Sequence, residues 1–458
     1  MSKSIKASIK NLLQKESLTH QKFLKGSFWN LIATIAIRGS GIIISVILAR
    51  ILGRDDFGKY GMLLSTIGAF GYVTWVSMSV TATKYIAECY PTDIPRTERI
   101  IGICRAISFL FSIIVSFFIF LFSDFIAIKT LGNGSFSVLL KLSSFSVFFT
   151  ALSGTQNGIL IGLQAFKIIA RINGITAITN AIILITLTIV FGVTGTAIGI
   201  LLISMVSWAI NILFLKRVLA HKNVIPNYKM MWTEKDIVWK FSLPHLLYAT
   251  LSMPIVWLSN AMLVRQADGL GQMGLYTAAS RWKEVISFIP GVFSSVNTSM
   301  FSELLAKRNF IELRSILTRA IAIILTITLP IGLLFIVFKH FIMIQYGTGF
   351  IGNGEVVLVI SVLMGFVQAI TTPFHNLTTS MGKMWQTLLI YTLYAAVLLS
   401  TASRLVHNGA IGLSYAHLIA SVTQFVCIFL LAARGYKKLK DQWVTHNGWN
   451  SINHSFLK

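Results

Sequence analysis

Residues 48–60, LARILGRDDFGKY, and residues 263–276, LVRQADGLGQMGLY, are two versions of one hairpin. In the first, Leu48, Ala49 and Arg50 close an apolar run, Ile51, Leu52 and Gly53 lead into the turn, and Phe57, Gly58, Lys59 and Tyr60 open the next run. In the second, Leu263, Val264 and Arg265 close a run and Gly271, Met273, Gly274, Leu275 and Tyr276 open another, at an offset near 216 residues. Two further pairs follow in the same order. Gln156, Asn157, Gly162, Leu163, Gln164 and Phe166 answer to His375, Asn376, Met381, Gly382, Lys383 and Trp385, and Gly195–Gly199 answers to Gly409–Gly412. Three matches in one order imply duplicated halves.

The halves are membrane-spanning. Hydrophobic residues make up 55% of the 458 and charged residues only 12%, and apolar blocks long enough to cross a bilayer recur along the whole chain. They lie at 28–49, 60–82, 103–126, 138–161, 172–192, 195–215, 241–263, 274–296, 319–341, 355–378, 386–406 and 410–432. The expectation is an all-α polytopic protein of twelve transmembrane helices, in two six-helix bundles. Six is even, so both bundles run the same way through the membrane, as in parallel-repeat transporters whose substrate site lies between the repeats. The corresponding division is a basic N-terminal segment at 1–26, bundles at 27–216 and 241–433, a linker at 217–240 and a tail at 434–458.

The formal charge of +24 would suggest nucleic acid in a soluble protein, but its distribution explains it otherwise. Alternate loops and the two termini hold 28 of the 39 Lys and Arg, and the opposite loops hold 8. The positive-inside bias puts both termini in the cytoplasm, as expected of a multi-pass protein of the inner-membrane type. Nucleic-acid binding is excluded, because the basic residues are dispersed over short loops and form no aromatic-interleaved patch. The first apolar block is too long for a signal-peptide core and carries Arg38 in its middle, so helix one is expected to remain as a span. Ile5, Ile9, Leu12 and Leu13 recur at helical spacing among lysines, which suits either a helix on the inner leaflet or a disordered basic tail. Cys89, Cys104 and Cys427 have no CxxC spacing, so no disulfide framework, metal site or cofactor site is implied.

The remaining three basic residues, Arg38, Arg281 and Lys283, sit inside apolar blocks. A central Arg or Lys costs about 3 kcal/mol on insertion, so such residues face a protein interior or a wet cavity and mark a pathway. If helix one enters near Ser27, Arg38 lies roughly 16 Å deep, and Arg281 and Lys283 lie roughly 10 to 14 Å from the outer end of helix eight. The three therefore share one layer. A guanidinium fork and an ammonium suit a phosphate group better than a neutral sugar. Lys283 points about 200° away from Arg281 around an ideal helix, which directs the two to different sides.

Glu284 stands one turn from Arg281, as a neutralising partner or as a carboxylate that exchanges a proton or sodium ion during transport. Asn30, Asn157, Asn260 and Asn376 are placed to meet sugar hydroxyls or to bond between helices. Pro244, Pro254 and Pro290 are hinge candidates, as are Pro330 and Pro373, with helix seven the preferred moving part. Gly154, Gly158 and Gly162 form two GxxxG steps that favour close helix packing. His245 and His417 read as structural histidines.

The hairpin residues Leu48, Ala49, Arg50, Leu52, Gly53, Phe57, Gly58 and Tyr60, their echo Gly274, Leu275 and Tyr276, and the exit Gly162, Leu163 and Gln164 resemble the MOP exporter superfamily, and within it the polysaccharide transport branch of Wzx-type O-antigen flippases. The likeness covers nearly the whole chain. It implies a V-shaped pair of bundles that moves an undecaprenyl-diphosphate-linked oligosaccharide, such as an O-antigen repeat unit in lipopolysaccharide biosynthesis, from the inner to the outer leaflet. It also implies a basic cavity for the diphosphate, carried here by Arg38 and Arg281, membrane lipids as surroundings, and other polysaccharide-assembly proteins as partners. Two alternatives are weaker. A multidrug cation exporter of the MATE type would be expected to place an acid in helix one or seven, and neither block has one. A membrane polymerase or ligase would need a catalytic set in the outer loops, which are short and contain no Ser/His/Asp group, paired carboxylates or metal-ligand cluster.

Overall fold

A computed structural model describes the backbone of residues 2–90 and 92–455, and the side chains of 39–71, 78–90, 92–239, 242, 253–291, 293–294 and 297–442. Described residues form helices, turns and no strand. The helical run Ser2–Cys89 breaks at Gly53 (φ 72°, ψ −179°), and Phe166–His221 breaks at Gly192 (φ 58°, ψ −138°). Dividing at those glycines gives twelve long helices: α1 (2–52), α2 (54–89), α3 (Ile94–Leu121), α4 (Phe136–Gly162), α5 (166–191), α6 (193–221), α7 (Leu243–Val264), α8 (Gly269–Ala306), α9 (Phe310–Val337), α10 (Asn353–Ser380), α11 (Met384–Leu405) and α12 (Gly409–Ser455). They correspond one to one with the twelve apolar blocks. Among the described residues, six helical runs are long and apolar enough by themselves to cross a membrane.

The duplication is written in the backbone as well as in the side chains. Gly53 and Asp268, Gly132 and Gly347, Gln164 and Gly382, and Gly192 and Gly409 all have positive φ, and each pair is separated by 215 to 218 residues. A residue in this region ends one helix and aims the next, which is cheapest for glycine. Gln164 and Asp268 adopt it at a cost of roughly 1 kcal/mol each, so the turn geometry is kept even where glycine is not.

Local signals set the helix starts. Asp93 accepts from the Arg96 N–H at 3.0 Å ahead of α3, with Pro95 in the first turn. Asn309 accepts from the Glu312 N–H at 3.1 Å and returns a bond to its carboxylate at 2.7 Å, a reciprocal cap for α9.

Two compact units are present. The first comprises residues 1–44, 70–122 and 138–249. Its core joins Ile86 of α2, Ile100 and Ile103 of α3, Leu160 of α4, Ile172 of α5 and Leu215 of α6. α4 lies against α2 along the glycine seam read from sequence. A Cβ on Gly158 would stand 2.4 Å from the Ser79 carbonyl oxygen, and one on Gly162 would stand 2.8 Å from Cβ of Ile86. The basic segment after α6 is fastened to the start of α3: Ile225 N–H donates to the Glu98 carboxylate at 2.7 Å. Glu234, only 8% exposed, receives Arg99 at 3.1 Å and Arg96 at 3.4 Å.

The second unit comprises residues 45–69, 123–137 and 250–458. Here α8 packs along α10 and α9, and α12 packs against α10 and α11. The first hairpin, 45–69, belongs with this unit and meets its own sequence copy. A Cβ on Gly58 would fall 1.8 Å from the Leu270 carbonyl oxygen, and one on Gly274 would fall 2.3 Å from that of Arg54. Glycine at both positions is the condition for two backbones to approach so closely. Trp257 Nε1 of α7 donates to Thr66 Oγ1 of α2 at 2.9 Å, and Phe57 packs edge-on to Tyr346 and Phe350.

Candidate substrate cavity

Within the second unit, α2, α7, α8, α10, α11 and α12 enclose a cavity of about 480 Å³. α8 supplies most of its chemistry, because successive residues of one helix from Met273 to Ser287 reach the lining at helical spacing. Arg281, Lys283 and Glu284 all lie on the wall. An ideal helix would separate Arg281 from Lys283 by more than half a turn, yet both line the space. Long aliphatic stems let the charged ends of basic side chains bend toward a polar volume.

Arg281 Nη1 stands 3.6 Å from Glu284 Oε2, with the side chains 25% and 41% exposed. At that distance and exposure the pair contributes little to stability. Two cations against one carboxylate leave the wall net positive.

Polar partners fix the neighbouring side chains. Asn260 Nδ2 donates to Ser65 Oγ at 2.8 Å. Its Oδ1 is buried without a partner, so a donor brought into the cavity would find an acceptor waiting. Ser287 Oγ donates to Gln368 Oε1 at 3.1 Å. His417 Nε2 lies 3.1 Å from Ser259 Oγ and its ring stacks on Tyr276 at 5.7 Å, which is a structural setting. Trp282, on the other side of α8, donates Nε1 to Tyr346 at 3.2 Å.

The structure gathers some of the residues singled out by sequence and leaves others apart. Arg281, Lys283, Glu284 and Asn260 share the cavity. Asn376 lies elsewhere in the second unit, accepting from Ser294 Oγ at 2.8 Å, and Asn157 is in the first unit. Pro254 and Pro290 are inside α7 and α8. The side chains of Arg38, Asn30, Pro244 and His245 lie outside the described residues. Sequence reasoning missed Gln368 and Tyr394, both on the wall. Gln368 carried a usable signal, as an amide in the middle of an apolar block; Tyr394 carried none, being an ordinary residue of a span. Among the described residues, no group of His, Cys, Asp and Glu could hold a metal ion.

The profile of the family described as "Polysaccharide biosynthesis protein" matches residues 23–305. The chain is 22% identical over 280 residues to the EPS I polysaccharide export inner membrane protein EpsE of Ralstonia nicotianae. It is 22% identical over 285 residues to the EpsE protein of Ralstonia solanacearum. Each alignment covers 60% of this chain and 62% of the relative, so the chain spans under two thirds of the length of the curated relatives it matches. Among solved structures, it is similar to an inward-facing multidrug resistance MATE family transporter of the MOP superfamily, with a TM-score of 0.70 and 16% identity over 88% of this chain and 95% of the other. It is equally similar to the lipid II flippase MurJ in an inward closed conformation, with a TM-score of 0.70 and 16% identity over 89% of each chain. At such identity the structural likeness speaks for the fold. The chain therefore belongs to the polysaccharide biosynthesis protein family and has the all-helical, twice-six-helix fold of the MOP superfamily.

Proposed function

We propose that this protein is a flippase that moves a lipid-linked polysaccharide precursor from the inner to the outer leaflet of the cytoplasmic membrane, binding its anionic phosphate linkage in the cavity of the second unit. The observation that carries the reading is the presence of Arg281 and Lys283 in one cavity lining that contains a single carboxylate, Glu284. A net positive, partly enclosed cavity stabilises a diphosphate and repels a cation, which disfavours the multidrug-cation alternative. The similarity to the EpsE proteins, which are polysaccharide export inner membrane proteins, supports the substrate class. Arg38 is assigned to the same cationic layer from its place in the sequence, and the two bundles at 27–216 and 241–433 alternate access about it, with both termini in the cytoplasm.

The drive follows from charge. Moving about two negative charges outward from a negative-inside cell is favourable by roughly 4 to 5 kcal/mol at 100 mV. Membrane potential thus supplies much of the work, and Glu284 is the place at which a proton or sodium ion would couple. Flipping that is unchanged when potential is clamped to zero, at matched substrate gradients, would remove this part of the proposal.

The deciding experiment reconstitutes the protein in liposomes with a fluorescent undecaprenyl-diphosphate oligosaccharide and follows exposure of the label. Replacing Arg281 and Lys283 together by Gln is expected to slow flipping at least about tenfold, while Arg281→Lys retains part of it. Unimpaired flipping by the double variant would refute the anion cavity. Efflux of a lipophilic cation by the same liposomes would favour the multidrug reading instead.

A further inference from the structure

The first unit holds a second cavity, also of about 480 Å³, that the proposed transport does not use. It lies between α3, α4 and α6, and Tyr228 of the basic segment after α6 contributes to its wall. Its other walls are largely aromatic, from Phe109, Phe148, Phe149 and Trp208. Two polar groups break the apolar lining in a way that specifies a ligand. Arg105 has no carboxylate partner among the described residues, its guanidinium standing 6.0 Å from the Tyr228 ring. Gln156 is 4% exposed, and its Oε1 is buried with no hydrogen-bond partner. Thr155 and Ser108, which also line the space, already bond to each other at 2.8 Å, so Gln156 is the acceptor left open.

A cation without an anion and a buried acceptor without a donor call for a ligand carrying both a negative charge and a hydroxyl. The surface leading away from the cavity shows what carries that headgroup. Phe109, Ile113, Phe117 and Leu121 recur on one face of α3 and are 48%, 41%, 64% and 61% exposed. The twelve helical rises from Phe109 to Leu121 make a stripe roughly 18 Å long. That matches a single leaflet, half of a hydrocarbon core about 30 Å thick. An acyl chain would lie along the stripe, whereas a polyprenyl chain would far outrun it. Arg105 also sits near the end of an apolar block, where a headgroup phosphate resides.

We infer that this cavity is a binding site for an anionic glycerophospholipid of the surrounding leaflet. Its phosphate rests on Arg105, a headgroup hydroxyl donates to Gln156 Oε1, and one acyl chain runs along Phe109–Leu121. The inference is independent of what the cavity of the second unit carries.

The test is native mass spectrometry of the full chain released from detergent with defined phospholipids. Phosphatidylglycerol has the charge and the hydroxyls, phosphatidylmethanol the charge alone, and phosphatidylcholine neither net charge nor hydroxyl. The intact protein is expected to retain phosphatidylglycerol about tenfold more than phosphatidylcholine. Arg105→Gln should erase that preference and Arg105→Lys should keep most of it. Gln156→Leu should equalise phosphatidylglycerol with phosphatidylmethanol while leaving both above phosphatidylcholine. Equal retention of all three lipids by the intact protein, or undiminished preference in Arg105→Gln, would overturn the site. Displacement of phosphatidylglycerol by equimolar undecaprenyl phosphate would overturn the assignment to a bilayer phospholipid. Should Gln156→Leu fail to give a monodisperse protein, the two Arg105 variants decide the matter.

Discussion

Arg54 Nη2 stands 2.6 Å from Asp268 Oδ1, joining two turns that are 214 residues apart in the chain and copies of each other in sequence. Gln272 completes the join, donating to Asp268 Oδ2 at 3.0 Å and accepting from the Ala410 N–H at 3.0 Å. The pair is 35% and 41% exposed, so solvent screening limits its worth to under about 1 kcal/mol. A double-mutant cycle with Arg54→Ala and Asp268→Ala, read by thermal unfolding of the purified protein, should give a coupling of that size. The exchanged pair Arg54→Asp with Asp268→Arg should recover most of it. A coupling of several kcal/mol would mean that the join behaves as a buried bridge.

The close approach beneath that ion pair is the more demanding feature. Alanine at Gly58 would put a Cβ 1.8 Å from a backbone oxygen that has nowhere to move. Gly58→Ala is expected to cost about 1 to 3 kcal/mol or to abolish folded protein in the membrane. Gly174→Ala, where nothing lies within 4 Å of the added methyl, should instead stabilise α5 by up to about 1 kcal/mol. Opposite signs in one unfolding assay would separate contact from propensity, and equal effects would show that the hairpins do not touch as described.

Glu234 anchors the segment after α6 through Arg96 and Arg99. Its side chain is 10% exposed while Arg96 is 43% exposed, so the bridge is buried on one side only. Glu234→Gln should destabilise the first unit by about 1 to 3 kcal/mol, less than a fully buried pair. Limited proteolysis between residues 222 and 234 should quicken in parallel. An unchanged cleavage rate would show that the segment is held by other contacts.

Cys89, at the end of α2, is 6% exposed, and burial pushes its thiol above the ordinary value. Because the thiolate is the reacting form, a variant retaining only Cys89 should react with N-ethylmaleimide at pH 7 on the order of tenfold more slowly folded than unfolded. Its rate should climb as the pH rises toward the elevated thiol value. Fast labelling at pH 7 in the folded protein would contradict the burial.

Much of this architecture was legible in the chain. Apolar blocks of bilayer length dictate helices, since no other element satisfies its backbone within a membrane, and the echo of LARILGRDDFGKY in LVRQADGLGQMGLY announces the repeat that the paired left-handed turns carry into the backbone. That Arg281, Lys283 and Glu284 stand together on one long helix followed from the apolar block at 274–296, and α8 carries all three. Their meeting in one cavity did not: helix phase alone sends Arg281 and Lys283 apart, and the surrounding helices create a space that both line. Asn376 and Asn157 looked equivalent to Asn260 in sequence and stand outside the cavity, because a polar residue's neighbours depend on helix rotation and contact, which a one-dimensional pattern does not encode.

The sequence by itself determined the class, the number of helices, the duplication and the presence of basic residues within apolar blocks, because each is a property of local composition and spacing. Only the tertiary structure decided that the first hairpin packs with the second unit, that Gln368 and Tyr394 join the cationic wall, and that Arg105 and the unpartnered Gln156 share a cavity. Those relations join residues up to hundreds of positions apart, and packing in three dimensions, rather than order along the chain, brings them together.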